Sequence, residues 1–240
     1  MRRRRVKVPK KRRHRTITLP PKRELQWLNG KHRGQRGFVI GGGPSILDIQ
    51  NRGFNFQALT REVTVGVNKA YNLFTPTYLV WTDSYFWRNF NREVSALKCL
   101  KFCPFNVAKK FAIDANDVLI VKRDPDKNRR AIIDSFVDPL PMWNNSGVTG
   151  IRVAYALGLS PIYLVGMDVL FKDHKDRTHF HTDYDASRIV KTKPHRYDLF
   201  LQAFHATIQA VQSNGVEVYS CSECSRLNDF IPFVDITTLF

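Results

Sequence analysis

The sequence predicts an α/β protein: a Rossmann-like, mostly parallel sheet with helices on both faces, preceded by a basic arm. Three observations lead there. From residue 37 onward, short runs rich in β-branched and aromatic residues alternate with helix-like stretches. Most of those runs are continuously apolar, as parallel strands covered on both faces are. Third, the charge is unevenly divided: residues 1–36 hold fifteen Lys and Arg against the single acid Glu24, a net +14 of the chain's +17. The remaining 204 residues hold 23 basic and 20 acidic side chains and are almost neutral.

The arm comes first. MRRRRVKVPKKRRHR has too few large apolar side chains to offset its ordering entropy, and its like charges repel, so it reads as mobile. Arg2, Arg3, Arg4, Arg5, Lys7, Lys10, Lys11, Arg12, Arg13 and Arg15 form its polyanion-binding surface. Neutralising phosphates releases counterions, which favours nucleic acid without sequence specificity. A solubilising tail and attraction to an anionic membrane surface are the alternatives.

Residues 37–240 read as one domain, since a 240-residue chain buries enough surface to fold without staples. The four cysteines are therefore not a disulfide framework. No apolar run approaches the roughly 18 residues that span a bilayer, and no signal-peptide core follows the positive N-terminus, so the reading is cytoplasmic.

Strands are predicted at 38–41, 62–67, 77–82, 118–122, 162–165 and 216–219. Helices are predicted at 147–157, with Ser146 as N-cap and Gly158 as stop, and at 197–213, closed by Asn214 and Gly215. The polar stretches 122–130 and 172–193 read as loops.

The first strand runs into Gly41, Gly42, Gly43, Pro44 and Ser45. In a parallel sheet this turn lies at the carboxyl edge, where ligands bind, and glycines let phosphate approach backbone N–H groups. The spacing is neither a P-loop nor a complete dinucleotide fingerprint. Taken alone, the loop is better explained as a tight strand-to-helix turn. Asn68, Asp83 and Asp168 each follow a strand and should converge on one rim. An Asp there holds a ribose hydroxyl or a Mg²⁺ ion, or caps the next helix.

The set GGGPS, VNKAY, NNSGVTGIRVAYALGLSPIYLVGMD, THF and SCSECSRLNDFIPFVD resembles the MptE-like family, over about residues 37–235. That family is named for a 6-hydroxymethylpterin pyrophosphokinase and includes motility accessory factors that modify flagellin. The same order of motifs is similar to bacterial lipo-oligosaccharide sialyltransferases, which use CMP-sialic acid. The resemblance implies that Gly41, Gly43, Pro44 and Ser45 hold nucleotide phosphates. It implies donor contacts for Asn68, Asn145, Ser146 and Gly147, a catalytic role for His195, and Asp168 and His179 facing the phosphates. Two departures set the chain apart from the sialyltransferases: Gly42 stands where they have Asn, and tyrosines after Asp168 are not evident.

His179 and His181 alternate on one segment, and Cys99, Cys103, Cys221 and Cys224 form two pairs. Neither set has diagnostic zinc spacing, and a polar lid and small core residues are the preferred readings. The aromatic run from Tyr85 to Phe90 reads as a helix packing on the sheet.

Together these features point to a transferase with a nucleotide-activated donor, a glycosyltransferase above all, acting on an acceptor hydroxyl. The arm extends the acceptors to a modified DNA base. A Mg²⁺-dependent pyrophosphokinase and a non-catalytic nucleic-acid-binding protein are the alternatives.

Overall fold

The computed structural model describes residues 25–113, 115–121, 136, 145–170, 172–173, 175–184 and 195–240. Residues 1–24, the 122–130 loop and part of 172–193 lie outside the described residues, and so do all ten basic positions assigned to the arm's polyanion surface.

Among the described residues, seven strands form one parallel sheet: β1 (Gly37–Ile40), β2 (Val63–Val67), β3 (Tyr78–Val80), β4 (Leu100–Pro104), β5 (Val118–Val121), β6 (Ile162–Val165) and β7 (Val218–Ser220). Their order is β5-β4-β3-β2-β1-β6-β7, and every pairing is parallel. The chain winds outward from β1 to β5, then returns to place β6 on the other side of β1. The switch point therefore falls between β1 and β6, the position where open α/β sheets bind ligands.

Alternation along each strand builds two buried layers. Val39, Val65, Val80 and Leu164 face α4 (Ser146–Ala156) and α5 (His195–Gln212). Phe38 and Ile40 face Ile46 and Ile49 of α1 (Ser45–Asn51). Leu79 and Trp81 face α2 (Ser84–Ala96) and α3 (Phe105–Phe111), which bury Phe86, Phe90 and Val107 against them. The sheet is covered on both sides, which is why its strands read as unbroken apolar runs.

Three local expectations need correction. Strand β4 escaped the pattern because Lys101 lies at its centre. That lysine is fully buried, its ammonium donating to the carbonyls of Leu97 (2.8 Å) and Cys99 (3.0 Å) and to Asp117. Helix α4 is capped by Asn145, whose Oδ1 accepts from the N–H of Gly147 (2.8 Å) and Val148 (3.2 Å). Ser146 is its first residue, and Gly158 ends it with φ +82°.

Residues 25–36, assigned to the arm by charge, belong to the body. Leu25 and Leu28 are buried in the α4 layer. The N–H groups of Gly30, His32 and Gly34 donate to the carbonyls of Ala156, Leu157 and Gly158, closing the C-terminus of α4. Charge density hid the apolar pair at i, i+3 that makes this packing.

Among the described residues no helix is long and apolar enough to cross a membrane.

Candidate functional site

The ends of β1, β2, β3 and β6 open into a cleft of about 1290 Å³. Its floor is the glycine loop after β1 and the Gly166–Asp168 turn after β6; its walls are the N-terminal end of α4 and most of α5, from Arg196 to Gln209, and its cover is the segment Thr178–Tyr184.

The three glycines of the loop serve different purposes. A Cβ on Gly41 would lie 2.4 Å from the Gly166 carbonyl oxygen, and one on Gly43 would lie 2.5 Å from Asp168 Oδ2. Both positions are glycine because the loop presses against the end of β6. Gly42 is different: the nearest atom to its virtual Cβ is His179 Cδ2, at 3.5 Å. Its open side faces the cleft, so a phosphate could approach backbone there.

Asp168 braces this loop. It is 3% exposed; its Oδ2 accepts from Ser45 N–H (2.8 Å) and its Oδ1 from Ser45 Oγ–H (2.5 Å). Burial pushes its carboxyl above the usual carboxylate range, and the Ser45 bonds oppose that shift. Both carboxylate oxygens thus serve Ser45 in an internal tie between the two turns. Ser222 completes the brace: its Oγ accepts from Gly166 N–H (3.0 Å) and lies 2.9 Å from Ser45 Oγ. The sequence offered only the SCSECS motif as a signal for Ser222.

Asn68 lies just past β2 in the left-handed region, φ +51°, and its buried Oδ1 has no hydrogen-bond partner. Asn68 lines the cleft. Asp83 lines the cleft while capping α2, its Oδ1 accepting from Phe86 N–H at 2.9 Å. Thr82 and Ser146 join their hydroxyls across the floor at 2.7 Å.

The covering segment is tied down at three places. Arg177 Nη2 donates to both oxygens of Asp48 in α1, each at 3.0 Å. Phe180 N–H donates to the Gly42 carbonyl at 3.1 Å. Asp183 accepts from Lys69 Nζ (2.9 Å) and Asn72 Nδ2 (2.8 Å). Lys69 is itself buried, also bonding Glu93 at 2.7 Å and lying over the rings of Phe90 and Tyr71.

The histidines separate. His179 lines the cleft against Gly42, with Nδ1 3.1 Å from Thr178 Oγ1 and its ring edge-on to Tyr184. His181 also lines the cleft, and burial pushes its imidazole down to about 4. His195 is exposed as the first residue of α5 and does not line the cleft; its neighbours Arg196 and Tyr197 do.

No group of three or more His, Cys, Asp or Glu side chains that could hold a metal ion occurs among the described residues. Cys99 and Cys103 belong to the layer under α2 and α3, and Cys221 to that under α1, so the two pairs do not meet. Phe86 and Phe90 of the aromatic run are buried against the sheet.

No family model matches the sequence, and no curated protein matches it. Among solved structures, the MAf glycosyltransferase of Magnetospirillum magneticum AMB-1 aligns with 91% of this chain, at a TM-score of 0.58 and 13% identity. The two share a fold. This chain spans only 39% of the length of the MAf glycosyltransferase. The Campylobacter jejuni sialyltransferase CstII, in complex with the substrate analogue CMP-3FNeuAc, aligns with 83% of this chain and 86% of its own, at 17% identity and a TM-score of 0.46. A variant of that sialyltransferase in complex with CMP gives the same values. The neighbour that shares the fold is thus a glycosyltransferase, as the motif order led one to expect; an MptE-like protein is not among these neighbours.

Proposed function

We propose that this chain binds a sugar nucleotide in the cleft and transfers the sugar to an acceptor hydroxyl. The observation that carries the reading is Asn68, strained and unsatisfied beside an open glycine at the switch point of the sheet. The loop at Gly42 and the first turn of α4 would hold the phosphate, and Asn68 would contact the nucleoside.

His179 is the proposed base, ahead of His195, because it lies against Gly42, where the bond between phosphate and sugar would sit. It takes the proton from the acceptor hydroxyl; the acceptor oxygen bonds to the sugar carbon, and the bond from that carbon to the phosphate oxygen breaks with its electrons on the nucleotide. Asp168 is a positioning residue, acting through Ser45.

Sugar transfer is favoured over pyrophosphoryl transfer from ATP and Mg²⁺ because the solved structure that shares this fold is a glycosyltransferase. The basic arm supports a nucleic acid as a further partner. A hydroxyl on a flipped-out or single-stranded DNA base would suit the same chemistry.

A thermal-shift screen tests these assignments. Sugar nucleotides at about a hundred times their Kd should raise the Tm by about 5 °C or more. A response to ATP with Mg²⁺ alone would favour the pyrophosphokinase, and no response to either would leave a binding protein. With the donor known, His179→Ala should lower turnover roughly 100-fold at unchanged donor affinity, whereas His195→Ala should stay within a few-fold of wild type.

A further inference from the structure

His181 is a second unsatisfied residue at the same end of the cleft, and neither the fold nor the proposed chemistry uses it. Its side chain is 5% exposed. Asp183 N–H donates to Nδ1 at 3.3 Å, so the neutral ring carries its proton on Nε2. That Nε2 is buried and has no partner. The rings of Phe180 and Tyr184 stand edge-on at 5.0 and 4.7 Å and fix the imidazole plane. Buried donors in native proteins are satisfied, so a ligand is the natural partner.

The chemistry of that partner follows from charge and position. The His181 N–H and the Asn68 Oδ1, both uncharged and both lining the cleft, offer it a donor and an acceptor, which suits hydroxyl groups; a phosphate would need donors or cations alone. Lys69 supplies no spare charge, since Glu93 and Asp183 both claim it. The end of the strand next to β1 is where doubly wound nucleotide-binding folds hold the ribose. Asn68 occupies that end, and the bond from Asp183 to Lys69 keeps His181 there.

We infer that His181 is a ligand-contacting residue whose Nε2–H donates to a ribose hydroxyl of the bound nucleotide, with Asn68 accepting alongside it. This rests on the nucleotide-donor reading. It concerns binding, not proton transfer, because an imidazole held near 4 by burial is neutral at pH 7.

The test is calorimetry of the full chain with the four ribonucleoside 5′-monophosphates and their 2′-deoxy and 3′-deoxy counterparts. Wild type should bind at least one ribonucleotide and lose about tenfold or more toward one of its deoxy forms. His181→Phe should bind that ribonucleotide about tenfold or more weaker and no longer distinguish the deoxy form. His181→Gln, which keeps an N–H at similar reach, should retain the distinction. Without ligand, the Tm of His181→Phe should change little, since a stranded donor is replaced by an apolar ring and only the exposed Asp183 N–H loses its partner. A His181→Phe protein that still prefers the ribonucleotide overturns the inference alone. Wild type binding none of the four overturns the nucleotide reading and this inference with it.

Discussion

The N–H and hydroxyl of Ser45 both donate to the carboxylate of Asp168, a residue 123 positions later in the chain. This pair joins the turn after β1 to the turn after β6 and so fixes the switch point at which the cleft opens. Ser45→Ala removes a hydroxyl donor from a buried carboxylate and should cost about 1–3 kcal/mol in urea unfolding. Asp168→Asn turns an NH₂ group toward the Ser45 donors and should cost at least as much. Both should weaken nucleotide binding through loop disorder.

Neighbouring glycines should behave oppositely. In Gly43→Ala the new methyl lies within 2.7 Å of Asp168 and of the Gly166 carbonyl, so the loop must move and about 1–3 kcal/mol should be lost. In Gly42→Val the nearest contact to the new Cβ is 3.5 Å, and the added bulk projects into the cleft. Its Tm should stay close to wild type while nucleotide affinity falls tenfold or more. Paired melting curves and titrations separate the two.

The start of the folded body is testable by truncation. A chain beginning at residue 25 should keep its Tm and lose most of its affinity for DNA or RNA, together with the salt dependence of that affinity. A chain beginning at residue 37 also loses Leu25 and Leu28, each worth about 2 kcal/mol of burial, and the bonds that close α4. It should melt well below the first. An unchanged salt slope after removing residues 1–24 would move the polyanion site onto the body.

Acid should destabilise the closed cover. Burial holds His181 near 4, whereas an unfolded histidine takes its proton near 6.5. Between those values the unfolded chain binds the extra proton, so stability falls as pH drops from about 6.5 toward 4. His32, also lowered by burial, acts in the same direction. Asp183 and Glu93, held low by Lys69, lose their contribution only as pH falls through the carboxylate range. Asp168, raised by burial, works the other way, its folded form gaining protons first. Urea midpoints at pH 7 and pH 5 should therefore differ more for wild type than for His181→Phe.

Much of this architecture is legible in the sequence, because apolar runs and glycine punctuation are local signals. Six strands, the long helix after Asn145 and the loop at Gly41–Ser45 follow from them. What escaped depends on pairing across the chain. Lys101 breaks the pattern of β4, yet its charge is met by Asp117 and two carbonyls. Asp168 follows its strand as Asn68 and Asp83 follow theirs, and nothing local signals its tie to Ser45 across the chain. His179 and His181 look alike in THFHTD, and only burial and the Asp183 contact distinguish them. Asn68 was identifiable as the residue after a strand; its left-handed backbone and unpaired oxygen were not.

The most direct test of the central claim is isothermal titration calorimetry of wild type, Gly42→Val and Asn68→Gly, the glycine keeping the left-handed backbone unstrained, with a panel of sugar nucleotides and their parent nucleotides. Wild type is expected to bind at least one of them at a single site, and both variants to lose tenfold or more while retaining wild-type melting temperatures. Wild-type affinity in both variants, or no binding by the wild-type protein, would contradict a nucleotide site at the junction of β1 and β6.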